Sequence, residues 1–147
     1  MKKLIYITAL ILAIAFFSCS KDKQTDEEKI QEYLTQNNIT AVRHESGLYY
    51  VIKTEGTGAN PNANNTVTVH YKGFLTNGQQ FDGTTTSPAT FKLSGLIPGW
   101  QIGIPLIKKG GDITLILPSV LGYGTQGVGS IPPNSVLVFD IQLLDVK

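Results

Sequence analysis

Thr66-Val67-Thr68-Val69-His70-Tyr71-Lys72-Gly73-Phe74 alternates in hydrophobicity, and the rest of the fold can be read outward from it. Successive side chains of a strand point to opposite faces. Val67, Val69 and Tyr71 therefore share one face, and Thr68 and His70 the other. Asn77-Gly78 follows, a dipeptide suited to a type I′ hairpin because both central residues of that turn need positive φ. Gln79 to Asp82 is then the return strand. Phe91 and Leu93 alternate again. Ser135 to Val146 repeats the pattern at greater length, with Leu137, Phe139, Ile141 and Leu143 on one face. Leu48 to Lys53 and Ile113 to Leu117 have strand composition as well. Pro98 to Ile107 predicts one short helix, with Pro105 near a bend or in its first turns, ended by Gly110-Gly111. Gly56 to Asn65 is loop. Pro118 to Asn134, rich in glycine and proline, is too long to be a mere connection. The expected class is α+β: a twisted antiparallel β-sheet wrapped around one short helix.

The front of the chain has a different character. Met1-Lys2-Lys3 precedes an apolar run from Leu4 to Phe17, then Ser18-Cys19-Ser20. A basic start, an apolar run and small residues at its end describe an export signal over residues 1–18. The run is shorter than the ~20 residues of a membrane-spanning helix. Cys19, the only cysteine, resembles the lipidated cysteine of bacterial lipoproteins, although Phe16 stands where Leu is usual. The expectation is an exported bacterial lipoprotein anchored at the membrane through Cys19, facing the periplasm or in the outer membrane. A lone cysteine makes no internal disulfide, so the fold must rest on its core. Loss of the signal removes Lys2 and Lys3 and leaves the chain near neutral. With no basic stripe, nucleic acid is not an expected partner.

Residues 19–40 read as a polar tether and a short amphipathic helix. Thr25-Asp26-Glu27-Glu28 has capping-box spacing, and Ile30, Tyr33 and Leu34 recur at helical spacing to about Gln36. The stripe can pack on its own domain, stay loosely attached, or dimerise; a monomer is expected. Residues 41–147 form the main domain.

Five stretches hold the candidate site: Val69-His70-Tyr71-Lys72-Gly73, Gln80-Phe81-Asp82-Gly83, Leu96-Ile97-Pro98-Gly99-Trp100, Gly122-Tyr123-Gly124, and Ile131-Pro132-Pro133-Asn134-Ser135-Val136-Leu137-Val138-Phe139-Asp140. If Tyr71, Phe81, Trp100, Tyr123 and Phe139 converge, they form a dry apolar cup with few polar groups, the usual anatomy of a small-ligand site. Aromatics at strand spacing also serve as plain core, and Tyr71, Phe81 and Phe139 carry that reading too. Tyr123, in a glycine-flanked loop, is poorly placed for core. Asp82 follows Phe81 on one strand and points the other way unless the strand bends. His44 and His70 make no metal pair, and His70 reads as a hydrogen-bonded structural histidine. No serine has a suggested histidine and acid beside it, and the glycines of Gly122 to Gly129 follow no strand-to-helix phosphate pattern.

In order, spacing and residue type, the five stretches resemble the FKBP-type peptidyl-prolyl cis-trans isomerases, over about Gly47 to Lys147. The resemblance implies an FKBP-like fold and X–Pro isomerisation in proline-containing polypeptides, without metal or cofactor. It implies a catalytic set of Asp82, Tyr123 and Ile97, with the Ile97 backbone N–H and the Tyr123 hydroxyl binding carbonyl oxygens. It implies substrate binding by Tyr71, Phe81, Phe91, Leu96, Trp100 and Phe139, with Trp100 as the floor. The family's macrolide ligands, tacrolimus and rapamycin, are expected to bind the same cup. Two departures stand out. Ala89 replaces an aromatic that some relatives carry, which should open the cup on that side. The Gly83–Pro88 loop lacks the basic residue that often partners the Asp82 carboxylate, and threonine hydroxyls are the candidate replacement. A non-catalytic peptide-binding module and a chaperone are the alternative readings.

Overall fold

The computed structural model describes residues 23–147. The export signal and Cys19 lie outside the described residues. Helix α1 (Asp26–Gln36) comes first. Strands β1 (Val42–Arg43), β2 (Tyr49–Thr54), β3 (Thr66–Leu75), β4 (Gln80–Gly83) and β5 (Ala89–Lys92) follow. Helix α2 (Pro98–Gly103), β6 (Asp112–Leu117) and β7 (Leu137–Val146) complete the domain. The seven strands form one antiparallel sheet in the order β1-β2-β6-β7-β3-β4, with β5 also paired to β3. This is the expected sheet around one short helix.

Alternation along the strands divides the interior in two. Val67, Val69, Leu115, Leu117, Leu137, Phe139, Ile141 and Leu143 point to the side that holds α2, and form the main core with Trp100, Ile104 and Ile107. On the other face, Ile116 and Val138 meet Ile30 and Leu34 of α1, with Tyr49 and Val136. Ile30 is fully buried. Helix α1 is thus docked on the sheet. Its start is fixed as the sequence indicates: Thr25 Oγ1 accepts from the Glu28 N–H, and Glu28 accepts from the Thr25 N–H at 2.7 Å.

Helix α2 approaches the sheet closely because two glycines face it. A Cβ on Gly99 would lie 2.4 Å from a Leu117 methyl, and one on Gly103 2.4 Å from a Leu115 methyl. The glycines are four apart on the helix and the leucines two apart on the strand, so each pair shares a face.

Three expectations need correction. The helix predicted from Pro98 to Ile107 is α-helical only to Gly103 and continues as a 3-10 turn over Ile104–Leu106. Pro105 has no N–H for an i→i−4 bond, so the α ladder stops there. The β3–β4 hairpin has no type I′ turn. Only Gly78 has positive φ (85°), while Asn77 does not. Gly78 N–H donates to Leu75 O, and Leu75 N–H donates to Gln79 O, both at 2.9 Å. The loop thus spans three residues with the left-handed position at Gly78. The last strand starts at Leu137, two residues after the predicted Ser135.

Gly103→Ala should lower stability by ~1–3 kcal/mol in urea unfolding, because its methyl would overpack the Leu115 side chain. A loss below ~0.5 kcal/mol would show that α2 can slide away from β6 without penalty.

Candidate active site

Pro98 opens α2 at a position where its missing N–H costs nothing, and Ile97 is the N-cap. That start brings Trp100 under the sheet, where its ring meets three others nearly at right angles. Centroid separations are 5.1 Å to Tyr71, 5.3 Å to Phe139 and 6.1 Å to Phe91. Edge-to-face pairs of this kind contribute ~0.5–1.5 kcal/mol each beyond area burial. The rings come from α2, β3, β5 and β7, so the whole sheet fixes their arrangement. They enclose a cavity of about 160 Å³ lined by Tyr71, Asp82, Phe91, Leu96, Ile97, Trp100, Tyr123 and Phe139. That volume is small beside drug-sized sites of ~300–1,000 Å³ and suits a single small ring.

A larger depression of about 790 Å³ lies on the opposite face of the sheet, bordered by Tyr33, Lys53, Phe74, Asn77 and Asp140 among others. It gathers no comparable set of rings, so the smaller cavity is the better candidate.

Eight of the nine predicted site residues line this cavity. Phe81 does not. It packs edge-on against Phe139, with centroids 5.5 Å apart, and so supports the wall from behind. The reason lies in the pairing of β3 with β4. Gly73 faces Asp82, but Phe74 faces Gln80, which leaves Phe81 as an extra, bulged residue. This is the bend that lets Asp82 reach the cavity rim. Gly73 makes room for the two rings: a Cβ there would lie 2.7 Å from Phe81 and 2.9 Å from Phe139.

Polar groups at the rim are few. Asp82 accepts from the Tyr71 hydroxyl at 2.8 Å and from the Gly83 N–H at 2.8 Å. The threonine replacement expected for the missing cation is not found. Thr84 bonds His70 Nδ1 at 2.9 Å and the Tyr71 N–H at 3.0 Å, so it bridges β3 and gives His70 its structural partner. The Tyr71 hydroxyl itself supplies Asp82's donor. Among the described residues, the Ile97 N–H and the Tyr123 hydroxyl donate to nothing, and the buried Trp100 Nε1 has no partner. Burial, followed by the hydrogen bond to Asp82, pushes the Tyr71 hydroxyl well above its usual pKa. Burial and then the Asp82 charge raise that of Tyr123. Both hydroxyls therefore stay protonated as donors at neutral pH. No cluster of metal-ligating side chains occurs among the described residues.

Residues 58–144 match the family model for the FKBP-type peptidyl-prolyl cis-trans isomerases. The chain belongs to this family. It is 46% identical over 131 residues to the FKBP-type isomerase FkpA of Aeromonas hydrophila, covering 86% of this chain and 49% of that one. The chain spans about half the length of the FkpA proteins it matches. The crystal structure of Escherichia coli FkpA superposes with a TM-score of 0.76 at 45% identity, covering 83% of this chain and 59% of that one. A peptidyl-prolyl cis-trans isomerase from Pseudomonas syringae pv. tomato gives a TM-score of 0.72 at 31% identity, covering 83% and 93%.

Within this FKBP-type site, some supports had no legible signal in the sequence. Gln101 Nε2 donates to Leu96 O at 2.7 Å and pins the segment leading into Ile97. A surface-type glutamine five residues away gives no hint of that. Ala89 pairs with Val69 in the sheet and is not among the lining residues.

The raised Tyr71 value has a pH consequence. Folding favours its neutral form, so its contribution is complete below the unfolded value of 10.0 and is lost as pH rises through the folded value. The urea midpoint of the wild type should fall above about pH 10, and less steeply in Tyr71→Phe. Identical alkaline slopes would show that folding does not raise the Tyr71 pKa, through burial or through the Asp82 bond.

Proposed function

We propose that this chain is a peptidyl-prolyl cis-trans isomerase that accelerates X–Pro rotation in exported polypeptides. One observation carries the reading: three rings set nearly perpendicular to Trp100 enclose with it a cavity sized for one small ring, with two unpartnered donors at its edge. Peptide-bond rotation meets a barrier of ~18–20 kcal/mol because resonance must be broken. The X–Pro isomers differ by only ~0.5–1 kcal/mol, so the difficulty is one of rate. A thousandfold acceleration needs about 4 kcal/mol off the barrier, which no nucleophile has to supply. A twisted amide loses its resonance dipole. A dry aromatic cup therefore suits the twisted state better than the planar, polar one. Trp100, Tyr71, Phe91 and Phe139 grip the proline ring, and Leu96 extends the wall. The Ile97 N–H and Tyr123 O–H hold carbonyl oxygens in place. Asp82 keeps the Tyr71 hydroxyl turned to the rim, which leaves the ring face to the substrate.

Peptides with an apolar residue before proline should isomerise faster with micromolar protein in a protease-coupled assay. Tacrolimus or rapamycin should abolish the gain. Tyr123→Phe should lower kcat/KM about five- to tenfold, the worth of one hydrogen bond of ~1–1.5 kcal/mol. A folded wild-type protein that leaves the rate unchanged would establish a non-catalytic peptide-binding module instead.

We further propose that Cys19 is lipidated after removal of residues 1–18 and tethers the domain to the membrane of a bacterial envelope. The support is sequence alone: a basic start, an apolar run ending at one cysteine, and a polar stretch after it. Stable attachment needs more than one acyl chain, as in bacterial lipoproteins. Among the described residues no helix is long and apolar enough to cross a membrane. Wild-type protein should take up a fatty-acid probe in cells, and Cys19→Ser should not. Equal labelling of the two would remove the assignment.

A further inference from the structure

Tyr123 lies in the loop between β6 and β7, and the two ends of that loop are held by the first turn of α1. Asp26 Oδ2 accepts from the Ser119 N–H at 2.7 Å, across 93 positions of sequence. Lys29 Nζ donates to Asn134 O at 2.8 Å, across 105 positions. The two side chains also pair with each other at 3.2 Å, which joins the two grips.

Both anchored residues connect directly to the neighbours of Tyr123. Ser119 begins a 3-10 turn, and its carbonyl accepts from the Gly122 N–H at 2.9 Å and the Gly124 N–H at 2.8 Å. Those glycines flank Tyr123 on either side. From the far end of the loop, Asn134 N–H donates to Gly124 O at 2.8 Å, and Asn134 itself adopts a left-handed φ of 57°. A closed ring of contacts therefore runs Asp26, Ser119, Gly124, Asn134, Lys29 and back to Asp26. Tyr123 is carried on its inner arc.

The polar clip is separate from what holds α1 in place. Ile30 and Leu34 are buried against Ile116, Val136 and Val138, and Glu27 accepts from the Tyr49 hydroxyl at 2.5 Å. Removing Asp26 or Lys29 leaves those anchors intact. Burial alone would raise the Asp26 pKa, but the hydrogen bonds from Ser119 and the nearby Lys29 ammonium outweigh it and hold it below its usual value. The carboxylate is thus charged at any pH at which the domain would work.

We infer that the N-terminal helix sets the position of Tyr123 in the pocket, with Asp26 and Lys29 as positioning residues acting through the Ser119 and Asn134 backbone. The inference rests on the isomerase reading only for its kinetic consequence. A loop released from the clip spends less time with Tyr123 at the rim. Apparent binding then weakens in proportion to the lost population of the competent form.

The test uses the full chain with Asp26→Ala, Lys29→Met and Asp26→Asn. Amide hydrogen exchange of Gly122 and Gly124 should quicken about tenfold or more in Asp26→Ala, while Leu115 and Ile116 in β6 keep their protection. Asp26→Asn, which retains an acceptor for Ser119, should restore most of the slow exchange. In the isomerase assay, Asp26→Ala should raise KM about three- to tenfold with kcat within about twofold. Its effect should shrink in a Tyr123→Phe background, because both changes act through one side chain. Unchanged exchange at Gly122 and Gly124, or quickening that extends equally to β6, overturns the inference. Quickened exchange with an unchanged KM also overturns it, since the clip would then hold the loop without serving Tyr123. A wild type with no isomerase activity but the predicted exchange pattern would count against the activity alone and leave the clip standing.

Discussion

Helix α2 meets β6 at Gly99 and Gly103, and the depth of that contact places Trp100. With any larger residue at either position, the helix would have to lift off or the buried Leu115 and Leu117 side chains would have to shift. Where the helix lifts, Trp100 rises with it and loses its perpendicular contacts with Tyr71, Phe91 and Phe139. The cavity floor is therefore set by how closely the α2 backbone approaches the Leu115 and Leu117 side chains, which are fully buried and have little room to turn aside. Gly73 repeats the device on the wall: the absence of a Cβ admits the Phe81 ring, which braces Phe139.

A site built this way is rigid and nearly free of charge. That suits the proposed reaction, in which one amide must pass through a less polar, twisted state. A charged acid–base pair would add desolvation cost without a proton to move. Among the described residues Asp82 is the one carboxylate at the rim, and its partner is the Tyr71 hydroxyl in place of a cation. The pair needs no basic residue in the Gly83–Pro88 loop, which is why that loop can be short and spend Thr84 on bridging β3 through His70 and the Tyr71 N–H.

Much of this was legible in the sequence, and what was not has a common cause. Strand alternation placed Val67, Val69, Leu137, Phe139, Ile141 and Leu143 on the core side, and capping-box spacing located the start of α1. Those signals are local and periodic. The type I′ turn at Asn77-Gly78 failed because the same dipeptide also serves a three-residue loop, and only the register of β3 against β4 decides between them. The side taken by Asp82 depended on register in the same way. Strict alternation assigns a side to each residue, and a bulge in β4 between the partners of Gly73 and Phe74 shifts it. Gln101, Asp26 and Lys29 were invisible as site supports because their partners are backbone atoms, which carry no side-chain signature.

Helix α1 shows how strength and position are divided between two kinds of contact. Its apolar stripe supplies the holding energy, with roughly 1.5–3 kcal/mol for each fully buried aliphatic side chain. That term is non-directional and would tolerate a small rotation of the helix. Hydrogen bonds contribute only about 1 kcal/mol each, but they lose most of that on modest misalignment. Asp26 and Lys29 therefore fix the angle of a helix that Ile30 and Leu34 have already attached. Because their partners are the two ends of the loop bearing Tyr123, an element outside the pocket becomes part of what defines its rim.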